Sequence, residues 1–262
     1  MISGLGFFEI LIILLIVLMF FGSKELPHFI RESARMIGKL RRYSEKVRRE
    51  LNEVTRAADV SDTVEDEDDV NKRKEQVRTA YLAKRKELSN TERTEKSAAI
   101  AGRLYETDEY KRTRAVLTYA STRTEVQTYD SIRYMLADGK RVVLPYCKPN
   151  STEMGLAEIT NIDEDLQEGQ YRMMEPKEEL RDNFLKSDIQ LVICPGVAFD
   201  KNGGRLGRGK GCYDYFIKEL KTRVPLVGFA FQCQCLDDDL PFDYHDVPMD
   251  LVITEEGIRR YS

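Results

Sequence analysis

Hydrophobic positions change period along this chain, and each change marks a boundary. Residues 5–21 are almost unbroken hydrocarbon with Glu9 as the single charge, a run near the short limit for crossing a bilayer. From Pro27 onward Ile30, Ala34, Ile37, Leu40, Ser44, Val47, Leu51, Val54 and Ala58 recur at spacings of three and four. That spacing predicts a long helix with one mostly apolar stripe and basic residues on its other faces. The pattern then stops at DVSDTVEDEDD, residues 59–69, where dense negative charge cannot bury enough surface to fold and reads as an extended tether. Helical spacing returns over 72–88 and 91–105, and short β-branched runs follow at 115–119, 141–144, 189–194, 226–231 and 251–253. Between the first two of these runs lie a helical stretch, 126–136, and an Asp138-Gly139 turn. A helix joining two such strands is a βαβ unit of a parallel sheet. The expected fold class is therefore α/β: an open, mostly parallel sheet flanked by helices, preceded by a transmembrane helix and a long amphipathic helix. Residues 154–162 read as a hairpin or edge feature. The expected units are 1–58, an anchor with its amphipathic helix; 59–70, an acidic linker; and 71–262, a catalytic domain.

Composition refines this picture. The chain has 262 residues, 42% hydrophobic and 33% charged, enough for a packed core with a charged surface. Its net charge of -4 hides a segregation of basic and acidic stretches. Lys24, Arg31, Arg35, Lys39, Arg41 and Arg42 follow the apolar run and no basic residue precedes it. The amino terminus is then expected outside the cell membrane, with the rest cytoplasmic in a single-pass arrangement; the missing basic flank and cleavage site argue against a signal peptide. The amphipathic helix would lie on an anionic membrane surface or pair with a similar helix. Five scattered cysteines make no disulfide framework and suit a reducing compartment. Cys233 and Cys235 lack the partners of a zinc site.

The candidate chemistry sits at 202–214, NGGRLGRGKGCYD, between a strand pattern and a helix pattern. Glycines let the backbone curl and bring its N–H groups close to a ligand, and the helix start adds more. Arg205, Arg208 and Lys210 supply cations, and Asp214 a carboxylate suited to magnesium. Gly204 to Lys210 fits G-x-x-x-x-G-K, but Gly211 stands where a P-loop needs Ser or Thr. The dinucleotide fingerprint fails as well, because neither Gly207 nor Gly209 is followed by the required third glycine.

Two resemblances follow from these residues. GFFE, then FGSKELP at 21–27, then a basic amphipathic helix resembles the amino-terminal region of the A/B-type subunits of the twin-arginine protein translocase. Gly22 matches its hinge and Glu9 its polar position. Residues 71–262 resemble the 5-formyltetrahydrofolate cyclo-ligase (methenyltetrahydrofolate synthetase) family. The match rests on PGVAFDKNGGRLGRGKGCYD at 195–214, KEQVR at 74–78, EVQT at 125–128, GKRVVLP at 139–145 and HDVPMD at 245–250.

The second resemblance implies ATP-dependent conversion of 5-formyltetrahydrofolate to 5,10-methenyltetrahydrofolate, with magnesium and with release of ADP and phosphate. It implies catalytic roles for Lys210 and Arg208. Nucleotide contacts would come from Lys74, Arg78, Arg205, Leu206, Gly207, Arg208, Gly209, Lys210, Gly211, Cys212 and Tyr213. Folate contacts would come from Glu125, Ala120 and Arg78, and magnesium ligands from Asp214 and Asp246. His245 reads as structural. Cys212 and Tyr215 depart from the family, which commonly has Tyr and Arg there. The partners implied are folate, ATP, the membrane, and translocase subunits or a second copy through the amphipathic helix; nucleic acid is not among them. A rival reading is a protein-translocation component whose carboxyl-terminal domain is a degenerate nucleotide- or folate-binding module.

Overall fold

The computed structural model describes residues 67–148, 151, 153–169, 174–241 and 246–261. The expected anchor, the amphipathic helix, most of the acidic tether and His245 lie outside the described residues. Among the described residues, no helix is long and apolar enough to cross a membrane. Contacts along the chain separate 1–64 from 65–262.

Helix α1 runs Glu67–Glu87, starting inside the acidic stretch rather than after it. Asp69 falls in its first turn, where a carboxylate opposes the positive end of the helix dipole. Helix α2, Asn90–Glu106, is opened by a capping box in which Ser89 and Glu92 exchange hydrogen bonds with each other's backbone, satisfying two otherwise unpaired N–H groups. A short α3, Asp108–Arg112, leads into strand β1, Ala115–Leu117.

After β1 the chain makes a loop before α4, Tyr129–Ala137. The expected helix start at Val126 is corrected by local side-chain bonding. Thr128 Oγ1 donates to the Tyr119 carbonyl, the Thr128 N–H donates to Ser121 Oγ, and the Tyr119 hydroxyl donates to the Val126 carbonyl. These bonds hold 119–128 in a closed loop in competition with helix. Strand β2, Arg141–Cys147, is longer than expected; β3, Met154–Ile159, pairs antiparallel with it at one sheet edge.

Strands β4, Leu166–Glu168, and β5, Met174–Pro176, form a small separate hairpin. The main sheet continues through β6, Leu191–Pro195, to a hairpin of β7, Ala198–Phe199, and β8, Arg205–Leu206. Helix α5, Cys212–Lys218, is followed by β9, Leu226–Phe229, β10, Leu251–Ile253, and β11, Ile258–Arg260. Sheet order is β11-β10-β9-β6-β1-β2-β3. The five inner strands are parallel, and β3 and β11 close the two edges antiparallel.

Alternation along the strands sends neighbours to opposite faces. Val116, Leu191, Ile193, Leu251 and Ile253 pack with Ile100 and Leu104 of α2 and Ile132 and Met135 of α4. Leu117, Val192, Cys194 and Val252 pack on the other face with Phe216 of α5. Burial on both faces explains why these strands read as continuous apolar runs.

A cleft at the carboxyl ends of the parallel strands

The expected loop divides into two parts with different tasks. Residues 200–204 are the tight turn of the β7–β8 hairpin, organised by Asp200, which is 4% exposed. Its carboxylate accepts from the N–H groups of Asn202 at 2.8 Å, Gly204 at 2.7 Å and Leu240 at 3.0 Å. A Cβ on Gly204 would lie 2.4 Å from that carboxylate, so only glycine fits. The Leu206 side chain packs in a small core with Ala198, Leu240, Val77 and Tyr81. The second part, 207–211, is the solvent-facing arc, in which Gly209 (φ 100°) and Gly211 (φ 64°) take left-handed conformations. Asp200 gave no signal in the sequence beyond its place two residues before an Asn-Gly turn.

The arc borders a cleft of about 450 Å³ lined by residues at and just beyond the carboxyl ends of β1, β2 and β6. In open α/β sheets this is where ligands bind. Ala120, Leu144, Pro145, Met154, Met174 and Pro176 give it apolar surface; Glu125, Arg208, Lys210 and Cys212 give it polar surface. A second cavity, of about 460 Å³ under α5, is lined by residues such as Ile217, Leu220, Val224 and Pro248. It contains none of the expected site residues.

Glu125 is 7% exposed. It accepts from the Thr122 N–H at 2.8 Å and from Arg208 at 2.8 Å. It therefore belongs to the loop after β1, not to a helix start. Arg208, whose side chain is half exposed, also donates to Thr122 Oγ1 at 2.9 Å.

Arg205 departs from the expected surface cation. It is 5% exposed, and its guanidinium reaches both Asp214 carboxylate oxygens at 2.8 and 2.9 Å and the Pro195 carbonyl at 3.3 Å. It is an internal brace between β6, β8 and α5. The Tyr213 ring lies 5.5 Å from it; the Tyr213 hydroxyl is buried without a hydrogen-bond partner among the described residues. Burial drives that hydroxyl's pKa well above the usual tyrosine range.

Helix α1 brings its basic face to the arc. Arg78 Nε donates to the Gly207 carbonyl at 3.0 Å, and Lys74 pairs with Asp246 at 2.5 Å. Neither residue lines the cleft itself; both stand behind its rim. Arg85, absent from the expected set, is 2% exposed and donates to the Gly196 carbonyl at 3.2 Å and Thr124 Oγ1 at 3.1 Å. It ties the loops after β6 and β1, and burial holds its pKa below the ordinary arginine value. The signal was present as Lys74, Arg78 and Arg85 at i, i+4 and i+11, one helical face.

Asp214 and Asp246 come to the same place, since Asp214 Oδ1 accepts from the Val247 N–H at 3.2 Å. Each carboxylate has a cationic neighbour, Arg205 or Lys74. Among the described residues no cluster of three or more acidic, His or Cys groups could hold a metal. Two hard oxygen donors nonetheless fit magnesium, which takes one or two protein carboxylates and fills its shell with phosphate oxygens and water.

A doubly flanked, largely parallel sheet with a cationic arc and a buried carboxylate meeting at its strand ends defines a small-molecule α/β enzyme. Comparison with known proteins narrows this. Residues 70–255 match the model of the 5-formyltetrahydrofolate cyclo-ligase family, and residues 3–50 match the mttA/Hcf106 family. The 5-formyltetrahydrofolate cyclo-ligase of Mus musculus is 28% identical over 72% of this chain and 96% of its own length. That of Escherichia coli K12 is 33% identical over 55% of this chain and 79% of its own. Among solved structures, the Aquifex aeolicus 5,10-methenyltetrahydrofolate synthetase superposes with a TM-score of 0.62 at 34% identity, covering 71% of this chain and 92% of that one. A Mycoplasma pneumoniae synthetase shares the fold, with a TM-score of 0.55 at 24% identity over 70% of this chain and 98% of its own. The chain belongs to the 5-formyltetrahydrofolate cyclo-ligase family.

Proposed function

We propose that this protein converts 5-formyltetrahydrofolate to 5,10-methenyltetrahydrofolate at the expense of ATP, releasing ADP and phosphate. The observation that carries the reading is the Arg208–Glu125 contact at 2.8 Å. It brings the cation of the glycine arc and the buried carboxylate of the β1 loop to one point, so that two substrates would meet there.

The apolar wall suits a flat pterin, and Glu125 can accept hydrogen bonds from pterin N–H groups. The triphosphate would lie along 207–211, against backbone N–H groups, Arg208 and Lys210. The formyl oxygen attacks the γ-phosphorus as the bond to ADP breaks. N10 then adds to the activated formyl carbon and loses its proton, and phosphate leaves with the original formyl oxygen. Such phosphoryl transfer needs alignment and charge neutralisation more than a protein nucleophile. Asp214 and Asp246 would hold magnesium, whose chemistry is to neutralise phosphate charge. Lys74, freed from Asp246, would then have a phosphate to pair with.

Purified full-length protein should form methenyltetrahydrofolate, followed by its absorbance, only when ATP and magnesium are both supplied. Folded protein that makes no product would overturn the assignment. We further infer, from the match over residues 3–50, that residues 1–58 hold the enzyme at the cytoplasmic face of the cell membrane. The full chain should sediment with membranes and a 59–262 fragment should not. The same match favours a second reading, a translocation component. Complementation of translocase-deficient cells by residues 1–58 separates that reading from the folate chemistry.

A further inference from the structure

Arg85 sits in the last turn of α1, where it is 2% exposed. Its guanidinium serves two loops at once: Nη1 donates to the Gly196 carbonyl at 3.2 Å and Nη2 to Thr124 Oγ1 at 3.1 Å. Both acceptors are neutral, Nε has no hydrogen-bond partner, and among the described residues no carboxylate forms an ion pair with it. A cation buried on those terms is costly, and a well-packed apolar side chain of similar volume often costs less. Stability alone therefore does not explain an arginine here.

The two loops are held differently. The loop after β6 is fixed from behind, because the buried Gln234 amide donates to the Gly196 and Val197 carbonyls at 2.9 and 3.0 Å. The loop after β1 closes largely on itself: Gln127 Nε2 donates to the Thr122 and Glu125 carbonyls, and the Thr122 N–H to the Glu125 carboxylate. Arg85 bonds both loops, reaching the second one residue before Glu125, and Gly196 and Glu125 both line the cleft. The Glu125 carboxylate acts on that guanidinium in turn, opposing the burial that lowers its pKa.

We propose that Arg85 is a positioning residue for the folate: tied to the fixed loop after β6, it holds the loop after β1 so that Glu125 stands at a set depth in the cleft. Arg85 does not line the cleft, so it acts through Thr124 and Glu125 and touches no substrate. Arg208, the other cation beside Glu125, is half exposed and belongs to the arc. A phosphate on the arc would turn Arg208 toward itself, and Arg85 would then keep the Glu125 loop in place beneath the pterin. The inference rests on the folate reading above and adds to it the residue that fixes where the folate sits.

The test is a split of kinetic constants in purified full-length protein, with the dissociation constant of 5-formyltetrahydrofolate measured separately by calorimetry. Arg85→Met removes the fork at similar volume. Its Michaelis constant for 5-formyltetrahydrofolate should rise by about 10- to 100-fold, the loss of bonds from a charged donor, while that for ATP and the turnover number stay within about threefold of wild type. Arg85→Lys keeps the charge without the planar fork and should recover only part of the loss. Thr124→Val leaves Arg85 in place and should raise the same constant by about fivefold; added to Arg85→Met it should change that constant by less than about twofold. Calorimetric constants should follow the same order. A residue that merely held the fold together would affect both substrates alike. Folate constants that do not move, or ATP constants that rise equally, would overturn the proposal. Should Arg85→Met fail to fold, Thr124→Val decides by the same readout. Wild-type protein that neither binds the folate nor turns it over would overturn the folate reading itself, whereas active wild type with insensitive variants overturns only the role of Arg85.

Discussion

Arg208 Nη2 lies 2.8 Å from Glu125 Oε1, joining residues 83 positions apart in the chain. The contact couples the two halves of the cleft, so a change at Glu125 acts on both. Replacing Glu125 with Gln keeps the shape and removes the charge that, on the proposed reading, would strengthen hydrogen bonds to a pterin. The Michaelis constant for 5-formyltetrahydrofolate should rise by about 10- to 30-fold, the loss of one charge-assisted bond. Steady-state rates at saturating ATP check this; an unchanged constant would remove Glu125 from the folate site.

Arg205 and Lys210, alike in sequence terms, should separate by experiment. Arg205→Ala leaves Asp214 without its buried partner and should cost roughly 3 kcal/mol of stability, read as a lowered denaturant midpoint. Lys210→Ala changes an exposed side chain. It should leave that midpoint within about 0.5 kcal/mol while turnover at saturating substrates falls by ~100-fold or more. Equal stability losses in the two variants would contradict the assigned division.

Glycine substitutions provide a test of the hairpin turn. Gly204→Ala places a methyl group 2.4 Å from the Asp200 carboxylate and should destabilise by about 2 kcal/mol. A methyl group on Gly102, inside α2, would meet nothing within 4 Å. There the same change should stabilise by about 0.5 to 1 kcal/mol, through helix propensity and a less free unfolded chain. Thermal melts of the two variants should shift in opposite directions.

The Cys147 thiol has a pKa lowered to about 6, chiefly through the influence of the Cys212 thiol and with help from Lys210. The thiolate is the reactive form, so alkylation by iodoacetamide should be near its plateau at pH 7 and fall as pH drops through that value. An ordinary exposed thiol would instead reach half its maximal rate near pH ~8.5. Peptide mapping after brief labelling at pH 7 should find Cys147 modified first.

Much of this was legible in the sequence because periodicity reports burial. The inner strands, α2, and the parallel β1–α4–β2 crossover follow from apolar runs and helical spacing. Residues whose roles depend on distant partners were not legible. Arg205 shares its loop with Arg208 and Lys210, yet its burial depends on Asp214 and the Pro195 carbonyl. Arg85 looks like one more charge on a basic helix until the loops after β1 and β6 close around it. Strand β11, Ile258–Arg260, carries two arginines and little apolar signal; pairing with β10 makes it a strand. Val126 sits in a helix-like pattern, but the hydrogen bonds of Thr128 and Tyr119 delay the helix to Tyr129.

Asp200 collects the amide hydrogens of Asn202, Gly204 and Leu240 on one carboxylate, and no ligand in the cleft would touch it. The glycine arc is thus mounted on a fixed bracket. On the proposed reading, exchanging side chains along 207–211 would retune which phosphate ester is accepted while the mounting stays where it is, whereas Asp200→Asn, with every cation intact, would set an amide NH2 against one of the N–H groups the carboxylate now holds and loosen the mounting.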